Sequence, residues 1–364
     1  MQGADAAAVA DALDSGDPLP GTGGFAGDVD GTLVRDVLGR YPLFVERDIA
    51  EEGRLGHDQW GHDPAALEDP RSFPAGHVRD GDGTRRRFTL PSPDPFPDRE
   101  TAVEAVQAAV ETSVDAVDTD GLAIAFSGGV DSALLAARLD APLYVAGFPD
   151  SHDVEAARSA ADLLGTDVRV VDLTHDAIER AVPEVARATG RVNAMDVQIA
   201  LPLYLAAERV AADGFDRLAL GQGADELFGG YAKVAKAPED PRVDADTVRG
   251  AQREVVATLP DQLERDVLAL RAAGVEPVTP LLHDRVVAAA LRLDGDLLVD
   301  GETRKVALRA AARESLPDEI ADRDKKAAQY GSLAARELDR LARQAGYKRR
   351  MDNHVTKYIE ALIE

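Results

Sequence analysis

From residue 101 onward the apolar positions of this chain switch repeatedly between two spacings. In TAVEAVQAAVETSVDAV (101–117) they recur every three or four residues, as on one face of a helix. In GLAIAFS (121–127) they run almost without a break, as in a strand covered on both sides. The alternation continues through ALLAARL (133–139, helix), APLYVAGF (141–148, strand), DVEAARSAADLLG (153–165, helix) and DVRVVDL (167–173, strand). It ends with LPLYLAAERVAADG (201–214, helix) and DRLALGQG (216–223, strand). Strands alternating with helices predict βαβ units and a parallel sheet. After residue 245 the pattern is mainly helical, and no internal repeat is visible.

The first hundred residues have another texture. They are rich in Gly, Asp and Pro, with short strand-like pieces DGTLVRDVL (30–38), YPLFVER (41–47) and TRRRFTLP (84–91), which predict a small β-rich unit. PSPDPFPDRE (91–100), with prolines at 91, 93, 95 and 97, predicts an extended linker. The expected organisation is a β-rich unit over 1–95 and an α/β domain over 96–364.

Composition narrows the chemistry. There is no cysteine among the 364 residues, which excludes disulfides, thiolate metal sites and a thiol nucleophile within this chain. No run of about 18 apolar residues occurs and the N-terminus lacks a signal-peptide pattern, so a soluble, cytoplasmic chain without membrane contact is expected. The net charge of −25 comes from abundant Asp and Glu beside only seven lysines. That balance resembles proteins of salt-accumulating microbes and says little about partners. The seven histidines show no metal-ligand spacing. The basic cluster Lys348, Arg349 and Arg350 reads as a solvated helix end, with contact to pyrophosphate or an RNA as the alternative.

The chemistry sits at two strand ends. In IAFSGGVDSALLAARL (124–139) a buried strand turns through Ser127, Gly128, Gly129, Asp131 and Ser132 into a helix. Glycines allow close backbone approach, the hydroxyls donate, and the helix N–H groups favour an anion. Asp131 then makes sense as a ligand to a divalent cation. The spacing is neither a Walker A loop nor a dinucleotide fingerprint. In LALGQGADELFGGYAKV (218–234) a second strand ends in a Gly-rich turn followed by Asp225 and Glu226. For that stretch taken alone, a helix cap with acidic first-turn residues is the lesser alternative, and the first motif reduces it further.

The first pattern resembles the PP-loop of ATP pyrophosphatases, and the two together resemble the synthetase part of the glutamine-dependent asparagine synthetases. The second motif there reads Gly-Glu-Gly-x-Asp-Glu-x-Phe-Gly-Gly-Tyr; here it runs from Gly221 to Tyr231 with Gln222 at the Glu position. Downstream, Glu276, Pro280 and Leu282 match a Glu-x-Arg-x-Pro-Phe-Leu-Asp turn, and KVALRAAARESLPDEIADRDKK (305–326) matches a Lys-x-x-Leu-Arg…Arg-x-Lys segment. VRDVLGRYPLFVE (34–46) and SFPAGH (72–77) resemble a class II glutamine amidotransferase domain, whose working cysteine at position 2 is Gln2 here.

The resemblance implies a doubly wound PP-loop fold with a helical C-terminal part and a degenerate amidotransferase-like unit in front. It implies ATP and Mg2+, a small amino-acid carboxylate and ammonia as reactants, and release of AMP and pyrophosphate. Ser127, Gly128, Gly129 and Ser132 would hold pyrophosphate; Phe126, Ala146, Leu220 and Gly221 would contact the nucleotide. Asp131 and Asp225 would carry the metal, with Lys325, Asp225, Glu226 and Gln222 as the catalytic set. Four departures bear on the substrate: Gln222 for Glu, Val278 for Arg, His283 followed by Asp284 where an Asp would stand, and Asp196 with Gln198 where some members have polar Thr and Arg. A different carboxylate, as in the β-lactam-forming synthetases, a tRNA-adenylating enzyme and a non-catalytic relic are the alternatives. Oligomer formation and a separate glutaminase stay open.

Overall fold

The computed structural model describes residues 1–148, 151–237, 239–242, 244–323 and 329–363. The chain forms two compact units, each assembled from three segments: Met1–Ala116, Gln222–Glu264 and Thr279–Ala311 in the first, and Val117–Gly221, Arg265–Val278 and Ala312–Glu364 in the second. The expected boundary at 95/96 lies inside the first unit.

The first unit opens with the strands β1 (Gln2–Gly3), β2 (Phe25–Val29), β3 (Thr32–Arg35), β4 (Phe44–Glu46), β5 (Trp60–Gly61), β6 (Pro70–Ser72), β7 (His77–Asp80) and β8 (Gly83–Arg86). They make an antiparallel sheet in the order β1-β2-β3-β7-β8 and a smaller one in the order β5-β4-β6. Asp30 and Gly31, at φ 51° and 81°, form the two-residue hairpin turn between β2 and β3, the left-handed pair that an Asp-Gly dipeptide favours. The β-rich expectation omits one helix, Ala6–Ser15. Asp5 caps it by accepting the Ala8 N–H, and Gly16 ends it at φ 74°. Its Val9 and Ala12 pack with Phe25, Val34, Val78 and Phe88 in a dry cluster.

The proline-rich segment 91–97 has no regular structure, as expected of a linker, yet it is no free tether. Arg253 donates to the carbonyls of Pro91 (2.8 Å) and Leu90 (3.2 Å), and the Arg292 guanidinium covers the Phe96 ring at 4.2 Å. The helix Arg99–Asp115, capped by Asp98, follows.

Buried ion pairs join the N-terminal strands to the later segments of this unit. Arg35 Nη1 lies 3.2 Å from Glu264 Oε2, which also accepts Ser72 Oγ at 2.5 Å. Arg40 pairs with Asp36 at 3.0 Å and with Asp284 at 2.7 Å, and Asp284 accepts the Thr22 N–H at 2.7 Å.

The second unit is built on β9 (Leu122–Ala125), β10 (Leu143–Gly147), β11 (Val168–Asp172), β12 (Arg217–Ala219) and β13 (Glu276–Val278). All pairings are parallel and the order is β11-β10-β9-β12-β13. The α/β expectation therefore holds, with its parallel sheet, its helices and the antiparallel β part in front. Past residue 245 the chain is mainly helical, as expected, and β13 is a short exception: three residues containing a proline carry no periodic signal, and pairing with β12 alone defines them. Leu122, Ala123, Ile124 and Leu218 are buried in the central strands. The helices His175–Thr189, Ala194–Ala212, Gln329–Gln344 and His354–Ile363 share a second apolar cluster. Arg349, expected at a solvated helix end, donates to Asp339 at 2.6 Å, with Arg343 and His354 on the same carboxylate. Among the described residues no helix is long and apolar enough to cross a membrane.

In the first unit the helix Asp284–Ala290 starts at His283, whose Nδ1 accepts the Arg285 N–H at 3.3 Å. Burial, with Arg285 and Arg40 adding and Asp284 opposing, pushes this imidazole below its ordinary value. The unfolded chain therefore takes the proton first as pH falls. The stability that neutral His283 contributes is complete above about pH 7 and is lost below about 6.5, the unperturbed value. Urea unfolding of the wild type and His283→Asn at pH 7.5 and 5.5 checks this: the wild type's advantage shrinks at the lower pH.

Candidate active site

The order of the parallel sheet reverses between β9 and β12, and in open α/β sheets ligands bind outside the carboxyl ends of the strands at such a point. The SGGVDS motif sits there. Phe126 leaves β9 with its N–H on the Tyr144 carbonyl at 2.7 Å, and the helix Val130–Ala136 begins four residues later. Gly128 has φ +73°, and a Cβ there would stand 2.5 Å from the Ala156 carbonyl oxygen. No other residue fits without moving backbone. Ser132 Oγ accepts the Ser127 N–H and donates to the Gly129 carbonyl, each at 3.2 Å, and Ser127 Oγ lies 3.3 Å from it. No side chain caps the helix at Gly129, so its first N–H groups suit an anion.

β12 exits onto the same helix start. A Cβ on Gly221 would stand 2.8 Å from Asp131 Cβ and 3.1 Å from the Ser132 nitrogen. Leu220 is buried, with its N–H on the Val278 carbonyl at 2.9 Å. Ala146 lies near the carboxyl end of β10, the strand beside β9. The second unit thus gathers Phe126 to Ser132, Ala146, Leu220 and Gly221 at one edge of its sheet. Arg323, which the sequence reading did not single out, donates to the Ala156 carbonyl at 2.8 Å and to the Gly128 carbonyl at 3.4 Å. Its signal was the Arg of the Arg-x-Lys pair that ends at Lys325. Lys325 itself lies outside the described residues.

The acid turn belongs to the first unit. Gly223, at φ +92°, precedes the short helix Ala224–Leu227 that carries Asp225 and Glu226. Glu226 is buried and accepts Tyr231 Oη at 2.6 Å. Burial raises its carboxyl above the ordinary range, with the Tyr231 bond opposing and the neighbouring Asp225 charge adding. Asp225 Oδ1 is paired with Lys305 Nζ at 2.7 Å, and that lysine is only 3 % exposed. A Cβ on Gly230 would fall on Asp225 Oδ1 and on Lys305 Cε, so the pair exists because residue 230 has no side chain. Lys305 was missed as a site residue; it opens the Lys-x-x-Leu-Arg stretch, and its partner lies 80 positions earlier in the numbering. Gln222 is half-buried at the start of the turn.

Among the described residues no group of three or more Asp, Glu or His side chains forms a ready metal site. Mg2+ held together with phosphates needs only one or two protein carboxylates. Asp131, in the second unit, and Asp225, in the first, are hard oxygen donors of that kind, and the uncapped start of the helix Val130–Ala136 offers N–H groups of the kind that bind phosphate, so the chemistry of the donors suits both. At the remaining departures, Val278 pairs with Ala219 in the sheet and Asp284 lies in the buried network with Arg40. Asp196 accepts from Asn193 (2.5 Å), Arg265 (3.0 Å) and Arg191 (3.2 Å). Burial raises its carboxyl, but these donors outweigh it and hold the group below its ordinary value.

The family model for asparagine synthase matches residues 103–244 and 236–360. The chain belongs to the asparagine synthase family. A relative from Methanocaldococcus jannaschii that carries the name of a glutamine-hydrolyzing asparagine synthetase is 31% identical over 280 residues, which are 67% of this chain and 52% of that protein. Asparagine synthetase B of Escherichia coli, also named as glutamine-hydrolyzing, is 26% identical over 350 residues, 85% of this chain and 61% of its own. The chain thus spans less than two thirds of the length of either relative. Among solved structures, the NH3-dependent NAD synthetase of Campylobacter jejuni covers 74% of this chain and 94% of its own at 13% identity and a TM-score of 0.29, a superposition too loose to inform the site.

The loop geometry of this family member makes a direct prediction. Gly128 and Gly165 both have left-handed φ, +73° and +68°, but only Gly128 would drive a Cβ into backbone; nothing lies within 4 Å of a Cβ on Gly165. Gly165→Ala is expected to cost about 1 kcal/mol of conformational strain and Gly128→Ala clearly more, as read from urea unfolding midpoints.

Proposed function

We propose that this chain is an ATP-dependent carbon–nitrogen ligase that activates the β-carboxylate of aspartate as an acyl-adenylate and amidates it with ammonia. The observation that carries the reading is the SGGVDS loop at the switch point of the parallel sheet, closed by Gly128 and Gly221 against neighbouring backbone.

In the first step a carboxylate oxygen attacks the α-phosphorus of ATP and pyrophosphate leaves. In the second, ammonia attacks the activated carbonyl, AMP departs with the carboxylate oxygen, and a proton is released. Ser127, Gly128, Gly129 and Ser132 hold the pyrophosphate, and Phe126, Ala146, Leu220 and Gly221 contact the nucleotide. Asp131 and Asp225 would be the carboxylates for Mg2+, which when bound would supply charge neutralisation on the phosphates. Lys325 is a compact cation for the same oxygens, and Glu226 shapes the acid turn from its buried position. Most of the acceleration in such a site comes from positioning and from fixed charges.

Gln222 is neutral where the resemblance expects a carboxylate, which favours a donor that arrives as free ammonia and needs little help in losing a proton. The absence of any cysteine in the chain favours the same donor. A different carboxylate is the second reading, favoured by Asp196, which is fully engaged by Asn193, Arg191 and Arg265.

Pyrophosphate release from ATP and Mg2+ in concentrated potassium chloride, with aspartate and ammonium, tests the proposal. Stoichiometric pyrophosphate and asparagine are expected, with Asp225→Asn lowering both at least a hundredfold. ATP turnover with another amino-acid carboxylate and none with aspartate would move the assignment to the second reading.

A further inference from the structure

The geometry points to Arg40 as a positioning residue for the acid turn, acting through Leu282 on Gly223. The role rests on the functional reading above, which gives Asp225 and Glu226 their task. The link is a chain of short contacts within the first unit. Arg40 Nη1 donates to the Leu282 carbonyl at 2.8 Å and to Asp284 Oδ1 at 2.7 Å, while its Nε donates to Asp36 at 3.0 Å. The guanidinium is buried, so these bonds are not traded against water. It therefore fixes the backbone of the turn Pro280–Leu282.

The Leu282 side chain, fully buried, occupies the space where a Cβ on Gly223 would stand. Gly223 is the left-handed residue, φ +92°, from which the helix carrying Asp225 and Glu226 starts. Any shift of Leu282 toward or away from Gly223 moves the start of that helix within the first unit. Arg35 and Gly39 of the same VRDVLGR stretch brace a further segment of the unit: Arg35 pairs with Glu264, and a Cβ on Gly39 would stand 3.0 Å from Pro260 Cβ. The N-terminal stretch that resembles an amidotransferase thus serves here to hold the turn.

Amide hydrogen exchange on the full chain, without ligands, reads this directly. In Leu282→Ala, exchange across residues 223–231 is expected to rise at least tenfold while residues 122–147 keep their rate. Leu281→Ala removes an equally buried neighbour and is the control for general loosening: it should leave 223–231 unchanged. Arg40→Met should reproduce the Leu282→Ala pattern; if it does not fold, Leu282→Ala, which leaves every ion pair intact, decides alone. With aspartate, ammonium, ATP and Mg2+, pyrophosphate release should fall about tenfold in Leu282→Ala and stay level in Leu281→Ala. Unchanged exchange over 223–231 in Leu282→Ala, or an equal rise in Leu281→Ala, overturns the inference. If the wild type releases no pyrophosphate, the functional reading fails separately, and the exchange data still decide whether Leu282 holds the turn.

Discussion

A guanidinium withdrawn from water has to be met by carboxylates or carbonyls, and Arg40 meets both kinds from opposite ends of the chain. Asp36 lies four residues away and Asp284 lies 244 residues away, and both are buried with it. Removing one partner of such a pair costs about 3–5 kcal/mol because the other is left charged and dry. Against a total stability of about 5–15 kcal/mol for a typical domain, that single contact constrains the whole first unit. It ties the β-rich N-terminal stretch to the late segment of that unit, as the buried pair of Arg35 with Glu264 ties it to the middle one. The proline-rich segment is strapped onto the same unit by Arg249, which donates to the Pro93 carbonyl, and by Arg253, which donates to that of Pro91.

The two chemistry-bearing motifs are fixed by different kinds of constraint. The phosphate loop is nearly self-contained, because an anion asks only for backbone N–H groups, hydroxyls and the absence of Cβ atoms, all supplied between Phe126 and Ser132. Its outside requirements are the Ala156 carbonyl behind Gly128 and the Gly221 exit of β12. The acid turn is the reverse case. Its two carboxylates are adjacent in sequence and the tyrosine that bonds Glu226 closes the same motif, yet the lysine that balances Asp225 and the leucine that fills the space at Gly223 come from two distant places. A buried charge needs a specific partner, and partners are rarely neighbours in sequence.

This difference decides what could be read from the sequence. β9 to β12 and the helices read at 133–139, 153–165 and 201–214 were visible because periodicity is a local property, and so was the SGGVDS loop; the helix His175–Thr189 was not read. The helix Ala6–Ser15 had its cap at Asp5 and its stop at Gly16, but the surrounding Gly, Asp and Pro hid its short apolar face. β13, three residues with Pro277 in the middle, has no signal of its own and exists only by pairing with β12. Lys305 could not be distinguished from the other lysines by spacing, since burial beside Asp225 is what marks it. Arg323 and Arg40 share that fate: each acts on a carbonyl far away in the chain.

The identity of the carboxylate turns on electrostatics. The helix Ala194–Ala212 runs directly into β12, so its first turn lies toward the carboxyl edge of the sheet, on the side of the phosphate loop. A substrate with a second carboxylate needs a cation there that is not already committed. Arg191 and Arg265 are both bonded to Asp196, and Arg265 to Asp266 as well. Two arginines against two aspartates leave that cluster without net charge. The acid turn is similarly close to balance: Lys305 offsets Asp225, and burial favours the neutral form of Glu226. Gln222 adds no charge to it. Under the proposed function the SGGVDS loop serves the adenylating step whatever the carboxylate, and the departures at Asp196 and at Gln222 each bear on which carboxylate is taken. Those are two of the four places where this chain departs from the pattern it otherwise follows.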